Sequence, residues 1–323
     1  MEVVKKYWNI LRRIRFLHVL NNLFHYSRLK ENKPLYKKYG VKKSVVGSIA
    51  HKDFKIKSEK KPWLDEANAA ARLSVNSELN TFSSETRDQL MNWPEKGYAI
   101  LKNFVQANLV DQVNADLERL TSSGEISYDY TNTRVMNLYR KSDAAKKIVT
   151  DPSLIKTLSF ILGKPVVPFQ TINFVYGSQQ RTHSDSIHMT THPLGYLVAI
   201  WIALEDLEPG CGLLHYYPGS QKLPYVMGED FENDNSALLV GNNFYENYEK
   251  KIADVIGKNK LHKEVFLAKK GDLFIWHANL LHGGEPRTNL TATRKSLVAH
   301  YFCEGDVINY HEITQRPAVI KQV

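Results

Sequence analysis

The sequence predicts a mainly β protein: a sandwich or barrel of short strands with a helical buttress, preceded by a basic, helical amino-terminal arm. Three observations predict it. Helical periodicity dominates residues 64–163, whereas short β-branched and aromatic runs take over from Val166 onward. Glu208-Pro209-Gly210, Pro218-Gly219-Ser220 and Lys270-Gly271-Asp272 punctuate those runs as turns. All the excess positive charge lies before residue 62: residues 1–61 hold 17 Lys+Arg against 4 Asp+Glu, and the rest holds 26 against 30. Helices first and many short strands afterwards is the pattern of a β core with helices packed on it.

The elements follow in order. Residues 3–14 read as an amphipathic helix, with Val3, Val4, Tyr7, Trp8, Ile10, Leu11 and Ile14 on one face and Lys5, Lys6, Asn9, Arg12 and Arg13 opposite. Past Ile14 the apolar face rotates through Leu17, Leu20 and Phe24, and Asn21-Asn22 is the candidate break. Residues 30–62 are Lys-rich without a clean period and read as an extended arm or linker. The arm is thus placed at 1–62 and the body at 63–323. Helices are expected near 64–74, 84–92, 106–121 and 142–163, the last divided at Pro152. Strands are expected at Tyr98–Phe104, Val166–Tyr176, Leu197–Ala203, Leu213–Tyr217, Glu264–Leu267, Asp272–Trp276 and Lys295–Phe302. Residues 227–262 interrupt the strands with a polar stretch and a helix near 245–256, and read as an insert or lid.

With only Cys211 and Cys303, a disulfide framework and a cysteine-rich zinc site are excluded, and a reducing compartment fits best. No apolar run approaches the ~18 residues of a membrane-spanning helix. Arg12, Arg13 and Arg15 break up any signal-peptide core. The basic arm predicts an anionic partner surface. A bilayer is one reading, with residues 1–30 lying on it. Packing on the protein's own body or on a neighbouring subunit is the equal alternative, and an Arg-rich presequence over residues 3–30 is a third. Nucleic acid is disfavoured, since no recognition module accompanies the charge. Cytoplasmic placement, peripheral on the inner face of the membrane, is the expectation.

The chemistry concentrates in two segments. His183-Ser184-Asp185 follows a strand and a short loop, and positions i and i+2 of an extended segment point to one side, so both side chains can reach one ion. A His-x-Asp triplet is weak by itself: the composition gives roughly half of one by chance. The chain has two, and His51-Lys52-Asp53, in the arm, is taken as the accident. A second segment offers His277 and His282, the latter followed by Gly283-Gly284, glycines that let backbone approach an ion. On the next strand Arg294, Ser296, Val298 and His300 share a face, and an arginine with a serine can hold a carboxylate.

From about Pro165 to Phe302 the chain resembles the phytanoyl-CoA dioxygenase family of Fe(II)/2-oxoglutarate oxygenases, in particular bacterial members. The motifs are Gly177-Ser178-Gln179-Gln180, His183-x-Asp185, Trp201-Ile202-Ala203-Leu204-Glu205-Asp206, Tyr217-Pro218-Gly219-Ser220, and the run Gly271–Gly284 containing Trp276-His277-Ala278-Asn279-Leu280-Leu281-His282. The resemblance implies a double-stranded β-helix, or jelly-roll (cupin-like), core. It implies His183, Asp185 and His282 as iron ligands and catalytic residues, preferring His282 to His277, and Arg294 as the 2-oxoglutarate anchor. Ser296, Gln170 and Asn173 are further candidate contacts to the co-substrate; His188, His192 and Tyr217 are candidates to face the substrate. Cys211 departs from the family at a turn that commonly carries a polar residue. Fe(II), 2-oxoglutarate and O2 are the expected cofactors, with succinate and CO2 as co-products. The Asp185 carboxylate favours hydroxylation, or another oxidation without halogenation, since related halogenases carry a small residue there. The expected substrate is a small molecule, lipid or lipid-linked sugar, the Kdo sugar of lipid A being one candidate. The competing expectation is a non-catalytic jelly roll with a vestigial metal site, whose arm binds a membrane or partner. The complete His183, Asp185, His282 and Arg294 set favours the enzyme.

Overall fold

The computed structural model describes residues 11, 13–129, 133–236 and 238–319. Helices α1 (Arg15–Phe24), α2 (Tyr26–Leu29) and α3 (Lys33–Lys38) form the arm. Helices α4 (Ala69–Ser74), α5 (Ser84–Lys96), α6 (Ala107–Ser122), α7 (Asp143–Val149) and α8 (Pro152–Leu162) precede most of the strands, and α9 (Phe244–Lys258) lies in the insert. The strands are β1 (Tyr98–Leu101), β2 (Arg134–Met136), β3 (Val166–Phe174), β4 (Thr190–His192), β5 (Leu197–Ala203), β6 (Leu214–Tyr216), β7 (Glu264–Phe266), β8 (Leu273–His277), β9 (His282–Gly284), β10 (Ser296–Cys303), β11 (Ile308–His311) and β12 (Arg316–Pro317).

A six-stranded sheet in the order β1-β8-β5-β10-β3-β2 faces a three-stranded sheet, β7-β6-β9, and a third small sheet is β12-β11-β4. This is the jelly-roll core with a helical buttress. Residue parity makes the layers. On β5, Val198, Ile200 and Ile202 pack toward the helices with Leu273, Ile275, Leu297 and Ala299. Their neighbours Ala199, Trp201 and Ala203 pack inside the sandwich with Phe274, Trp276, Val298 and Leu214. Both faces of the large sheet are therefore covered, which is why β5 reads as a continuous apolar run, and β10 as one interrupted by Ser296 and His300, instead of alternating.

Several expectations are corrected. The helix near 64–74 is a 3-10 turn, Trp63–Asp65, followed by α4. Short β2, β4, β9, β11 and β12 were not foreseen, because two to four residues carry no readable alternation. There is no break at Asn21-Asn22: α1 runs through them, and the Asn22 side chain is buried, donating to Val46 O at 2.9 Å. Residues 3–10 and 12 of the amphipathic helix expected at 3–14 lie outside the described residues.

The arm is not an extended linker. Tyr36, Tyr39, Val41, Val45, Ile49 and Phe54 are buried against Ile308 and Tyr310 of β11. Their spacing shows no period because a distant strand, not a helix of their own, recruits them. His51 and Asp53, the decoy pair, serve local structure: Asp53 caps Ala50 N at 2.8 Å and pairs with Lys43, while His51 Nδ1 lies 3.1 Å from Glu229.

Buried Glu312 ties three regions together, accepting from His51 N of the arm at 2.8 Å and Gly228 N of the insert at 3.3 Å. Burial pushes its carboxyl up to about 7, above the ordinary 4.5, despite those donors. The folded state then holds a proton that the unfolded chain has lost, so this group's stabilisation is complete below about pH 4.5 and is lost as pH rises through about 7. We expect Tm to fall over that window by the equivalent of roughly 1–3 kcal/mol, and Glu312→Gln to remove the dependence in a pH-resolved melt.

Candidate metal centre

His183 and His282 are held by backbone as much as by side chain. His183 N donates to His282 O, and His282 N donates to His183 O, each at 2.9 Å. This reciprocal bridge joins the loop after β3 to the start of β9. The glycines explain how the chains come so close. A Cβ on Gly283 would lie 2.7 Å from Gln180 O, and one on Gly284 2.8 Å from Ser178 Oγ. Asp185 opens a 3-10 turn two residues on, and Trp276 Nε1 of β8 donates to its Oδ2 at 2.8 Å.

The two imidazoles are fixed in one tautomer. His183 Nδ1 lies 2.9 Å from Arg181 O, and His282 Nδ1 lies 2.9 Å from Leu280 O. A carbonyl only accepts, so each Nδ1 carries the proton and each Nε2 keeps its lone pair. Both Nε2 atoms converge on Asp185 Oδ1, at 3.9 and 3.8 Å. The ligand-capable atoms of His183, Asp185 and His282 all lie within 4.8 Å of one another, close enough for one ion. Burial, then the neighbouring His282, hold the His183 pKa well below its ordinary value, which keeps it neutral and able to ligate. Two imidazoles and one carboxylate on one side of an ion, with open positions beyond, suit Fe(II).

His277, the competing candidate, belongs elsewhere. Its Nε2 lies 3.0 Å from Asp65 and its Nδ1 accepts from Asn279 N at 2.9 Å, so both nitrogens are engaged outside the site.

The three residues open into a cavity of about 210 Å³ between the sheets. Arg294 enters it from the strand connection before β10, held by its N–H on Val175 O at 2.8 Å. The guanidinium is 2 % exposed and lies over the Phe174 and Trp201 rings, 5.6 and 5.7 Å from their centroids. Desolvation lowers its pKa to about 10, which leaves it charged at neutral pH. It has no ion pair and its Nε has no hydrogen-bond partner among the described residues. An unpaired buried cation is costly, so the site is built for an anion.

Gln170 and His300, paired across β3 and β10, also line the cavity. His300 Nε2 lies 3.7 Å from Asp185 Oδ2. Ser296 is fully buried with an unpartnered Oγ, but it is not among the lining residues. Asn173 is three residues from Gln170, an odd offset, and so points to the other face of β3; it does not line the cavity. His188 lines the cavity. His192 does not: it is stacked on Phe54 of the arm, with centroids 4.0 Å apart. Tyr217 packs with the insert, in a cluster with Phe244 and Tyr248. Cys211 is fully buried among the sandwich residues.

Two contributors were missed. Arg134 comes from edge strand β2, a three-residue element some 50 residues upstream of the triad, and lines the cavity. Gln180 lies in a quoted motif but had no assigned role. Its Nε2 is 3.2 Å from His183 Nε2 and donates to Tyr245 OH at 3.1 Å. Tyr245 and Tyr248 of α9 roof the ligand loop, since Ser184 N donates to Tyr248 OH at 2.9 Å. Trp276→Phe removes the one donor seen on Asp185 Oδ2. We expect a 10–100-fold loss of Fe(II) affinity by equilibrium dialysis with the fold intact.

Among the described residues no helix is long and apolar enough to cross a membrane. No curated protein matches the chain in sequence. Among solved structures, the non-haem α-ketoglutarate-dependent carbocyclase SnoK from nogalamycin biosynthesis is similar, with 16% identity and TM-score 0.55 over 75% of this chain and 89% of its own. The epimerase SnoN of the same biosynthesis gives 16% and 0.54 over 72% and 83%. EctD from S. alaskensis, solved with 2-oxoglutarate and 5-hydroxyectoine, gives 16% and 0.51 over 69% and 76%. At such identities these likenesses bear on the fold. The phytanoyl-CoA dioxygenase (PhyH) family matches residues 93–296, more than half of the chain; the match takes in β1 to β9 and stops at Ser296, the first residue of β10. The chain therefore belongs to the phytanoyl-CoA dioxygenase family of Fe(II)/2-oxoglutarate-dependent oxygenases.

Proposed function

We propose that the protein is an Fe(II)- and 2-oxoglutarate-dependent hydroxylase of an aliphatic C–H bond. The observation that carries this reading is the convergence on a single cavity of three metal-ligating atoms and one buried guanidinium that is unpaired among the described residues. His183, Asp185 and His282 hold the iron, and Arg294 holds the distal carboxylate of 2-oxoglutarate; Gln170 lines the same cavity at the level of His300. When bound, the iron, 2-oxoglutarate and O2 supply the oxidising power: R–H, O2 and 2-oxoglutarate give R–OH, succinate and CO2.

The protein's own residues do the rest. Trp276 fixes the Asp185 carboxylate, the carbonyls of Arg181 and Leu280 fix the two imidazole tautomers, and Tyr245 and Tyr248 limit the entry of water. Arg134 supports a narrower reading of the substrate. Its charge acts on His188 and Tyr245, the side roofed by the insert, and its Nε is buried without a hydrogen-bond partner. A substrate with an anionic group facing Arg134 satisfies it; an acidic sugar on a lipid, such as the Kdo of lipid A, has that chemistry.

The test is incubation with Fe(II), 2-oxoglutarate and fractionated cell extracts, lipids included. We expect succinate to rise with one fraction and a product heavier by one oxygen to accumulate. A product lighter by two hydrogens would replace hydroxylation with a desaturating or ring-forming oxidation. Failure to bind Fe(II), with no fraction raising succinate, favours the non-catalytic alternative.

A further inference from the structure

Helix α1 is amphipathic in the reverse sense. Two of its polar residues face the protein: Arg15 and Asn22 are buried, with Arg15 Nη1 on Gln315 Oε1 at 2.5 Å and Asn22 on Val46 O at 2.9 Å. Its large apolar residues face out. Phe16 is 63% exposed, Leu20 39%, Leu23 52% and Phe24 88%. At helical spacing these four lie within an arc of about 100°. The strip continues onto the insert. Ile14 bridges Leu239, Arg15 N donates to Leu238 O at 2.9 Å, and Leu238 is itself 74% exposed. A contiguous apolar patch of this kind marks an interaction surface.

Charge identifies the partner. Residues 3–30 contain seven Lys+Arg and no Asp or Glu. Beyond Phe24, Lys33 Nζ lies 2.8 Å from Tyr26 OH and 5.3 Å over its ring, so a cation adjoins the patch. Lys30, Lys33 and Lys37 are exposed. A second copy seated symmetrically on this patch would set the arm's +13 balance against itself, a repulsive pairing. An anionic bilayer takes both features, apolar side chains at the acyl boundary and lysines at the headgroups. We propose that α1 and the 238–239 turn dock the protein on an anionic membrane surface. The docked strip leads through the insert into α9, the helix over the ligand loop, and, resting on the hydroxylase reading above, the substrate is presented from that surface.

The experiment uses the full chain and cosedimentation with vesicles of phosphatidylcholine alone or phosphatidylcholine with phosphatidylglycerol. The expected result is binding to the anionic vesicles only, weakened by salt, and a drop of about tenfold or more in the bound fraction for Phe16→Asp/Phe24→Asp. Both positions are exposed, so Tm and Fe(II) binding stay at the wild-type values; Phe24→Asp alone serves if the pair lowers Tm. Equal binding to both vesicle types, or unchanged binding by the variant, overturns the proposal. So does a wild-type dimer in light scattering that the variant makes monomeric without any vesicle binding. Iron binding and succinate formation in detergent-free solution read the catalytic assignment separately.

Discussion

Substitution of either His183 or Asp185 by alanine is expected to abolish substrate-dependent succinate formation. Each supplies one of three atoms that converge within 4.8 Å, and two remaining ligands cannot hold the ion in a fixed orientation. Changes to groups that merely support a ligand cost 10–100-fold in affinity, so loss of a ligand should cost at least about 100-fold. The fold should persist. The bonds between His183 and His282 are made by backbone atoms, which alanine retains. Asp185→Asn is the sharper variant: its carbonyl oxygen can still accept from Trp276 while the negative charge offered to the ion is gone. Equilibrium dialysis with Fe(II) and a succinate assay report the two effects separately. Turnover surviving either alanine substitution would sink the assignment of the ligands.

The second large effect is at Arg294. Its guanidinium is buried and charged and has no ion pair among the described residues, so the carboxylate it receives completes it. Truncating one partner of a buried charge pair costs about 2–5 kcal/mol, or roughly 30- to several-thousand-fold in affinity. Arg294→Ala should therefore raise the KM for 2-oxoglutarate by that range. Arg294→Lys should recover little, because an ammonium offers no planar fork and stacks poorly between Phe174 and Trp201. Fe(II) affinity should be unchanged in both, which separates this role from that of the ligands. An unaltered KM in Arg294→Ala would leave the cavity without its anion anchor.

Much of the site was legible because its geometry is short-ranged in sequence. His183 and Asp185 are two apart, and Arg294, two residues before β10, shares parity with Val298 and His300 on that strand. The choice between His277 and His282 was not legible from spacing. It turns on Asp65, more than 200 residues away, which occupies His277. Parity also decides against Asn173, an inference available from the sequence once β3 is drawn as one unbroken strand with Gln170 facing the cavity. Arg134 had no local signal: β2 is three residues long and gains meaning only from its register with β3. The arm misled for a related reason. Its apolar residues match β11 instead of one another, and α1 breaks the expectation that a helix buries its apolar face.

The reciprocal backbone bridge between His183 and His282 also separates cofactor loading from chain folding. In a small zinc module the ligands are scattered until metal gathers them, so removing the metal melts the module. Here the two histidines are joined by backbone amide hydrogen bonds, and Asp185 is held by an indole, contacts that do not involve the ion. A chelator should strip the protein to a folded, reloadable form. The occupancy of this enzyme would then follow the free iron around it, and the protein could pass through iron scarcity idle and undamaged.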